Sequence, residues 1–226
     1  TVGAEDLACL VVEPIQGEGG FHVPADGYLP ALQEWCTTNG VVMIADEIQS
    51  GSGRTGKLWA IEHSNVVPDM IISAKSLAAG MPLSAITGRS EIMDSPHVGG
   101  VGSTYGGNPL ACVVTMEALQ VVEDERLAEK ADAMGQVFRA RMTALTQRTE
   151  LVKSVRGKGL LNAIVITERP DLGSETAWEI CLKLKDNGLL TKPTHGDIIR
   201  FAPPLVITEE ELHKACDVIE EVIMEF

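Results

Sequence analysis

The sequence predicts an α/β protein: a mostly parallel sheet in a larger domain, then a smaller C-terminal α+β domain. Three observations carry that prediction. Short apolar, partly β-branched runs at residues 7–13, 41–45 and 70–74 each give way to a polar or charged residue, the pattern of buried strands. Helix-period segments separate them, as in successive βαβ units. Beyond residue 150 the texture changes to short strands and two amphipathic helices. The expected domains are therefore residues 1–150 and 151–226.

In order, residues 7–13 form a strand ending at Glu13, and the loop Pro14-Ile15-Gln16-Gly17-Glu18-Gly19-Gly20 follows. Residues 28–39 carry Leu29, Leu32, Trp35 and Cys36 on one helical face, with Gly40 as the stop. The strand at 41–45 ends in Asp46 and Glu47. A loop and a short helix-like piece at 59–63 lead to the strand at 70–74, which runs into Lys75. After the glycine-rich stretch 99–107, Asn108-Pro109 opens a helix, since proline pre-sets the first-turn φ. Residues 110–122 and 126–146 read as two long amphipathic helices. Strands at 152–155 and 160–166 flank Arg156-Gly157-Lys158-Gly159, and a helix at 175–187 stops at Gly188. A strand at 198–202 ends at Pro203-Pro204, and Thr208 with Glu211 makes a capping box for the final helix.

Composition narrows the function. The 226 residues are 45% hydrophobic and 22% charged, ordinary for a soluble globular protein. No apolar run is long enough to span a bilayer. A formal charge of −14 argues against nucleic acid or an anionic membrane as partner, because phosphate binding needs clustered Lys and Arg. Five scattered cysteines with no C-x-x-C pair fit reduced thiols in the cytoplasm or mitochondrial matrix, not a disulfide framework. The histidines have no metal-binding spacing, so no metal is expected. The chain lacks both a targeting segment and an initiator methionine, and the expectation is that it is part of a longer polypeptide.

The candidate chemistry centres on Lys75. A lysine at the C-terminal end of a buried strand sits where open α/β sheets place ligands, and partial desolvation favours the neutral amine that Schiff-base chemistry needs. Taken alone, the stretch favours a snorkelling surface lysine; the rest of the chain shifts the balance. Asp46 ends another strand one strand–helix–strand unit earlier, so both reach one crevice. One cofactor needs that pairing: pyridoxal phosphate, whose ring nitrogen is kept protonated by an acid. Its phosphate could be taken by the amides and hydroxyls of Ser103 and Thr104 before the helix at 110. Arg200, inside an apolar strand, suits a carboxylate bidentately, although taken alone it more readily fits an edge-strand solvent arginine or a structural ion pair. A literal G-x-G-x-x-G, Gly51 to Gly56, invites a rival reading as an NAD-dependent oxidoreductase, although no clean helix follows it.

Taken together, the chain resembles the class III (ω-) aminotransferases of the pyridoxal-phosphate fold type I superfamily. The residues concerned are Glu13-Pro14-Ile15-Gln16-Gly17-Glu18, Ala45-Asp46-Glu47-Ile48-Gln49, Arg54-Thr55-Gly56, Ala74-Lys75-Ser76, Gly102 to Leu110 and Arg200 to Pro204. Residues 1 to about 120 look most like 4-aminobutyrate aminotransferases, and those from about 155 most like ornithine aminotransferases. The resemblance implies that Lys75 binds the cofactor and moves the substrate proton. Asp46 would hold the ring nitrogen, Gln49 the ring's phenolic oxygen, and Thr104 the phosphate of a neighbouring subunit, so that a homodimer shares its sites. Arg200 would take the carboxylate of glutamate or 2-oxoglutarate, Glu18 would mask Arg200 when the substrate presents an ω-amine, and Glu13 would support them. The family's upstream half has no counterpart here, which keeps a further rival open: a dimerising fragment that cannot catalyse alone.

Overall fold

The structure, a computed structural model, describes residues 3–226. These divide into two compact units: one comprises the segment up to Ile15 with Pro24–Leu127, the other Gln16–Val23 with Ala128–Phe226.

The first unit is built on a four-stranded sheet ordered β1-β2-β3-β4, from β1 (Cys9–Val12), β2 (Val42–Asp46), β3 (Met70–Ser73) and β4 (Ala85–Gly88). The first three are parallel and β4 is antiparallel to β3. Helix α1 (Tyr28–Asn39) ends at Gly40, whose φ of 66° and N–H bonds to the Cys36 and Thr37 carbonyls make a left-handed C-cap. Leu29 and Cys36 pack with Met43, Ala45 and Ile61, while Trp35 is exposed and does not join that face. A helical turn α2 (Ser90–Met93) and helix α3 (Pro109–Asp124) complete the unit. Asn108 caps α3 by accepting the Ala111 N–H at 2.9 Å. The expected β3 strand is half-buried except for its last residue, Ser73. Neither β4 nor α2 was expected: each is four residues long and carries too little periodicity to register.

The second unit packs α4 (Leu127–Leu145), α5 (Thr176–Asp186) and α6 (Glu209–Glu225) on an antiparallel sheet ordered β5-β6-β8-β7. The strands are β5 (Val152–Lys158), β6 (Leu161–Ile166), β7 (Lys192–Thr194) and β8 (Ile198–Phe201). Arg156-Gly157-Lys158, expected to lie between two strands, continues β5, and Gly157 pairs with Asn162. Glycine is required at 157: φ is +140° and a Cβ would stand 2.2 Å from the Leu161 carbonyl oxygen. Ile164, Ile166, Ile199 and Phe201 pack with Phe138, Met142, Ile180, Leu184, Leu212 and Ile219. Every residue of β6 is buried; the loop Gln16–Val23 belongs to this unit and meets the sheet at Arg156, Thr194, Ile198 and Arg200. The capping box at Thr208 and Glu211 starts α6 as its residues dictate.

Candidate functional site

The carboxyl edge of the first sheet collects the first group of candidates. Val12 pairs with Ala45 and Asp46 with Ile72, so Glu13, Asp46 and the segment leading to Lys75 follow one another along a single edge of three parallel strands. Asp46 is half-buried and its Oδ1 accepts the Ile48 N–H at 3.0 Å. Lys75 opens a short 3-10 turn, Lys75–Ala78, with φ at +50°. A left-handed lysine costs on the order of 1 kcal/mol and is the kind of backbone strain that gathers at functional sites. The lysine is exposed: the desolvation expected at a strand end is not supplied by the described residues. Helix α3 packs against this turn.

Glu47 was not singled out from sequence, yet it organises the turn that carries Asp46 and Gln49. It is 1% exposed; its Oε2 accepts from Ser50 Oγ at 2.5 Å and its Oε1 from the Ile61 N–H at 2.8 Å. Its own N–H continues the ladder to the Ile72 carbonyl at 2.9 Å. Side-chain alternation sends Asp46 and Glu47 to opposite faces, so one acid meets the site edge and the other the core. Burial pushes the Glu47 carboxyl above its usual range, and the bonds from Ser50 and the Ile61 and Ala60 backbone only partly offset this. The signal that could have found it is parity: Glu47 shares the core-facing side of Ala45.

The glycine-rich segments fare differently. Ser103 and Thr104 lie in an exposed stretch before α3, and among the described residues no hydrogen bond is seen from their side chains to Asp46 or Lys75. Gly51, Ser52, Gly53 and Thr55 are buried. A Cβ at Gly51 would stand 2.7 Å from the Trp59 ring and 2.8 Å from the Glu47 carbonyl oxygen. The Gly51 to Gly56 segment therefore closes on its own core and opens no α-helix, only the 3-10 turn Ala60–Ser64. A dinucleotide phosphate cannot reach it, and the oxidoreductase reading falls.

The second unit brings together Glu18 and Arg200. Arg200 lies in β8, between β6 and β7, with its side chain 11% exposed. Its Nη1 donates to Glu18 Oε1 at 3.0 Å and to the Gly17 carbonyl at 3.3 Å. Its guanidinium lies 5.6 Å from the Phe21 ring centroid.

With this geometry in hand, the family model "Aminotransferase class-III" matches residues 1–223. The chain belongs to the class III aminotransferases. The mitochondrial ornithine aminotransferase of Rattus norvegicus is 50% identical over 222 residues, covering 98% of this chain and 49% of its own length. A 4-aminobutyrate aminotransferase of Mycobacterium leprae (strain TN) is 41% identical over 231 residues, covering 100% and 51%. The acetylornithine aminotransferase structure from Elizabethkingia anophelis superposes with a TM-score of 0.93 at 53% identity, covering 99% of this chain and 55% of that one. A Toxoplasma gondii ornithine aminotransferase, in which PLP partially occupies the active site, gives 0.92 at 45% identity, covering 98% and 51%. This class III aminotransferase chain thus spans about half the length of the curated relatives it matches. The ornithine-type likeness extends over its N-terminal part as well as its C-terminal part.

Proposed function

We propose that the complete protein is a pyridoxal-phosphate-dependent ω-aminotransferase. It would move the terminal amino group of ornithine or 4-aminobutyrate to 2-oxoglutarate, giving the semialdehyde and glutamate. The observation that supports this best is the alignment of Asp46 and Lys75 at the carboxyl ends of adjacent parallel strands. A lysine amine beside a strand-end carboxylate is the donor set the cofactor requires. When bound, pyridoxal phosphate supplies the electron sink for charge developing on the amine-bearing carbon.

The chain's own residues divide the remaining work. Lys75 Nζ would hold the cofactor, and its amine would take the proton from the reacting carbon of the substrate. The Asp46 carboxylate would hold a proton on the ring nitrogen, Gln49 would donate to the ring's phenolic oxygen, and Ser103 and Thr104 would offer hydroxyls to phosphate. Arg200 binds a substrate carboxylate, with Glu18 as its mask and Glu13 in support. Magnitude favours a switchable mask: Glu18 is 69% exposed, and so open an ion pair is worth about 0–1 kcal/mol. An incoming carboxylate can displace it, whereas an uncharged methylene leaves it closed over a cation that would otherwise be desolvated and unpaired.

The test is spectroscopic. The cofactor-loaded complete protein should show a visible band that is lost in Lys75→Ala while cofactor still binds. An unchanged band in that variant removes Lys75 from its role.

We further propose a homodimer. Supporting the dimer, Leu110, Val113 and Met116 are exposed on α3, an apolar stripe that a second copy would cover. Sedimentation of the complete protein as a monomer would remove it. Three buried thiols, Cys36, Cys181 and Cys216, fit a reducing compartment, cytoplasm or mitochondrial matrix. Among the described residues no helix is long and apolar enough to cross a membrane.

A further inference from the structure

We propose that Arg156 and Thr194 are positioning residues that set donor selectivity, by holding the loop Gln16–Val23 so that Glu18 stays over Arg200. The inference rests on the reading above, in which Arg200 takes a carboxylate and Glu18 masks it.

The register of the second sheet supplies the geometry. Arg156 pairs with Ala163, Ala163 with Arg200, and Arg200 with Lys192, so the two arginines stand on one rung two strands apart. Residues on one rung project from the same face of a sheet, and the residue between them, Ala163, is fully buried. The loop lies on that face. Its Gly20 has φ at +106°, and a Cβ there would stand 2.8 Å from Ile198 Cδ1 and 3.1 Å from Arg156 Nη2. A side chain there would have to push Ile198 and Arg156 aside and would be strained at this positive φ.

What holds the loop is not the Glu18–Arg200 pair, which is too exposed and weak for the purpose. Arg156 Nε donates to the Gly20 carbonyl at 2.8 Å, and its Nη2 lies 3.2 Å from His22 Nε2. Thr194 Oγ1 donates to the carbonyl of Glu18 itself at 3.1 Å. Phe21 is 3% exposed, and the Gln16 N–H donates to the His22 carbonyl at 3.1 Å, closing the loop at its base. A charge-assisted bond to a carbonyl is among the stronger single hydrogen bonds, so Arg156 is the principal anchor. Arg156 turns Nε and Nη2 toward the loop. The two arginines of one rung have separate tasks: one fixes the mask, the other is masked.

The test uses the cofactor-loaded complete enzyme and measures two half-reactions separately, one with ornithine or 4-aminobutyrate as ω-amine donor and one with glutamate. Loss of an anchoring charge-assisted bond in Arg156→Met should lower kcat/KM for the ω-amine donor about tenfold while glutamate changes by less than roughly twofold. Thr194→Val, which removes one hydroxyl from a half-buried residue and leaves the sheet intact, should skew the ratio in the same direction by less. Arg156→Lys should recover part of the loss. Equal losses in both half-reactions, or no change in either, overturn the proposal. Glu18→Gln in the same assay reports on the underlying reading: if it leaves the ratio unskewed, the mask itself is wrong, whatever Arg156→Met does.

Discussion

Glu47 is where a single residue can be tested most cleanly. Its carboxylate accepts from buried donors that include Ser50 Oγ and the Ile61 N–H. Removing it in Glu47→Ala leaves these donors unpaired and should cost about 2–4 kcal/mol of unfolding free energy. Glu47→Gln keeps the shape and one acceptor, and should cost less. The pH dependence follows from the raised carboxyl. In the folded state Glu47 holds its proton above the ordinary value of 4.5 at which the unfolded chain loses it. Its contribution is therefore full below that value and is lost as pH rises through the folded-state pKa. Wild type should lose ground to Glu47→Gln over that window and run parallel to it above, measured by urea unfolding at a series of pH values. An offset independent of pH from 4 to 8 would count against the buried carboxyl as the cause. The same desolvation pushes the Cys181 thiol up to about 12 and the Cys216 thiol to about 11, which keeps both unreactive in the folded chain.

At the scale of elements, Gly135 decides how α4 meets the β5–β6 connection. A Cβ there would lie 1.8 Å from the Gly159 carbonyl oxygen, an atom further tied by Arg139 Nη1 at 3.0 Å and Asn162 Nδ2 at 2.9 Å. In an exposed helix, Gly→Ala gains about 1 kcal/mol. Here overpacking against backbone should exceed that, so Gly135→Ala is expected to destabilise by about 2 kcal/mol net in thermal or urea unfolding. A stabilised variant would mean the helix can shift. Most elements were legible in the sequence because each carries its own period or cap: α1 ends at Gly40, α3 starts at Asn108-Pro109, and Thr208 with Glu211 opens α6. The short strands β4 and β7 were not, since their stability comes from pairing with β3 and β8 and leaves little mark on their own residues. The continuation of β5 through Gly157 was hidden for the opposite reason. A glycine-rich stretch reads locally as a break between strands, and only the pairing with Asn162 makes it strand. The site shows the same division. Lys75, Asp46 and Arg200 stand out as charges on apolar strands, whereas Arg156 and Thr194 act through bonds to a loop far away in sequence.

For the molecule as a whole, the division into units does not follow the chain. Gln16–Val23 is synthesised between β1 and α1 yet packs with residues beyond 128. A fragment beginning at Ala128 would lack the loop's cover over Ala163, Ile198 and Arg200. It should therefore bind a hydrophobic dye and show broadened thermal unfolding, where the 226-residue chain shows neither; a fragment that melts as sharply as the parent would mean the loop adds nothing to this core.

That loop also imposes a timetable. The Gly20 carbonyl and its Arg156 donor are separated by 136 positions, which at ribosomal speeds is roughly 7–27 s of elongation. Through that interval Phe21 has no sheet to settle on, and the nascent chain carries an apolar hook in search of a partner not yet made. Chaperone occupancy should therefore peak on ribosomes that have passed residue 23 but not yet released β8, and fall once that strand clears the exit tunnel.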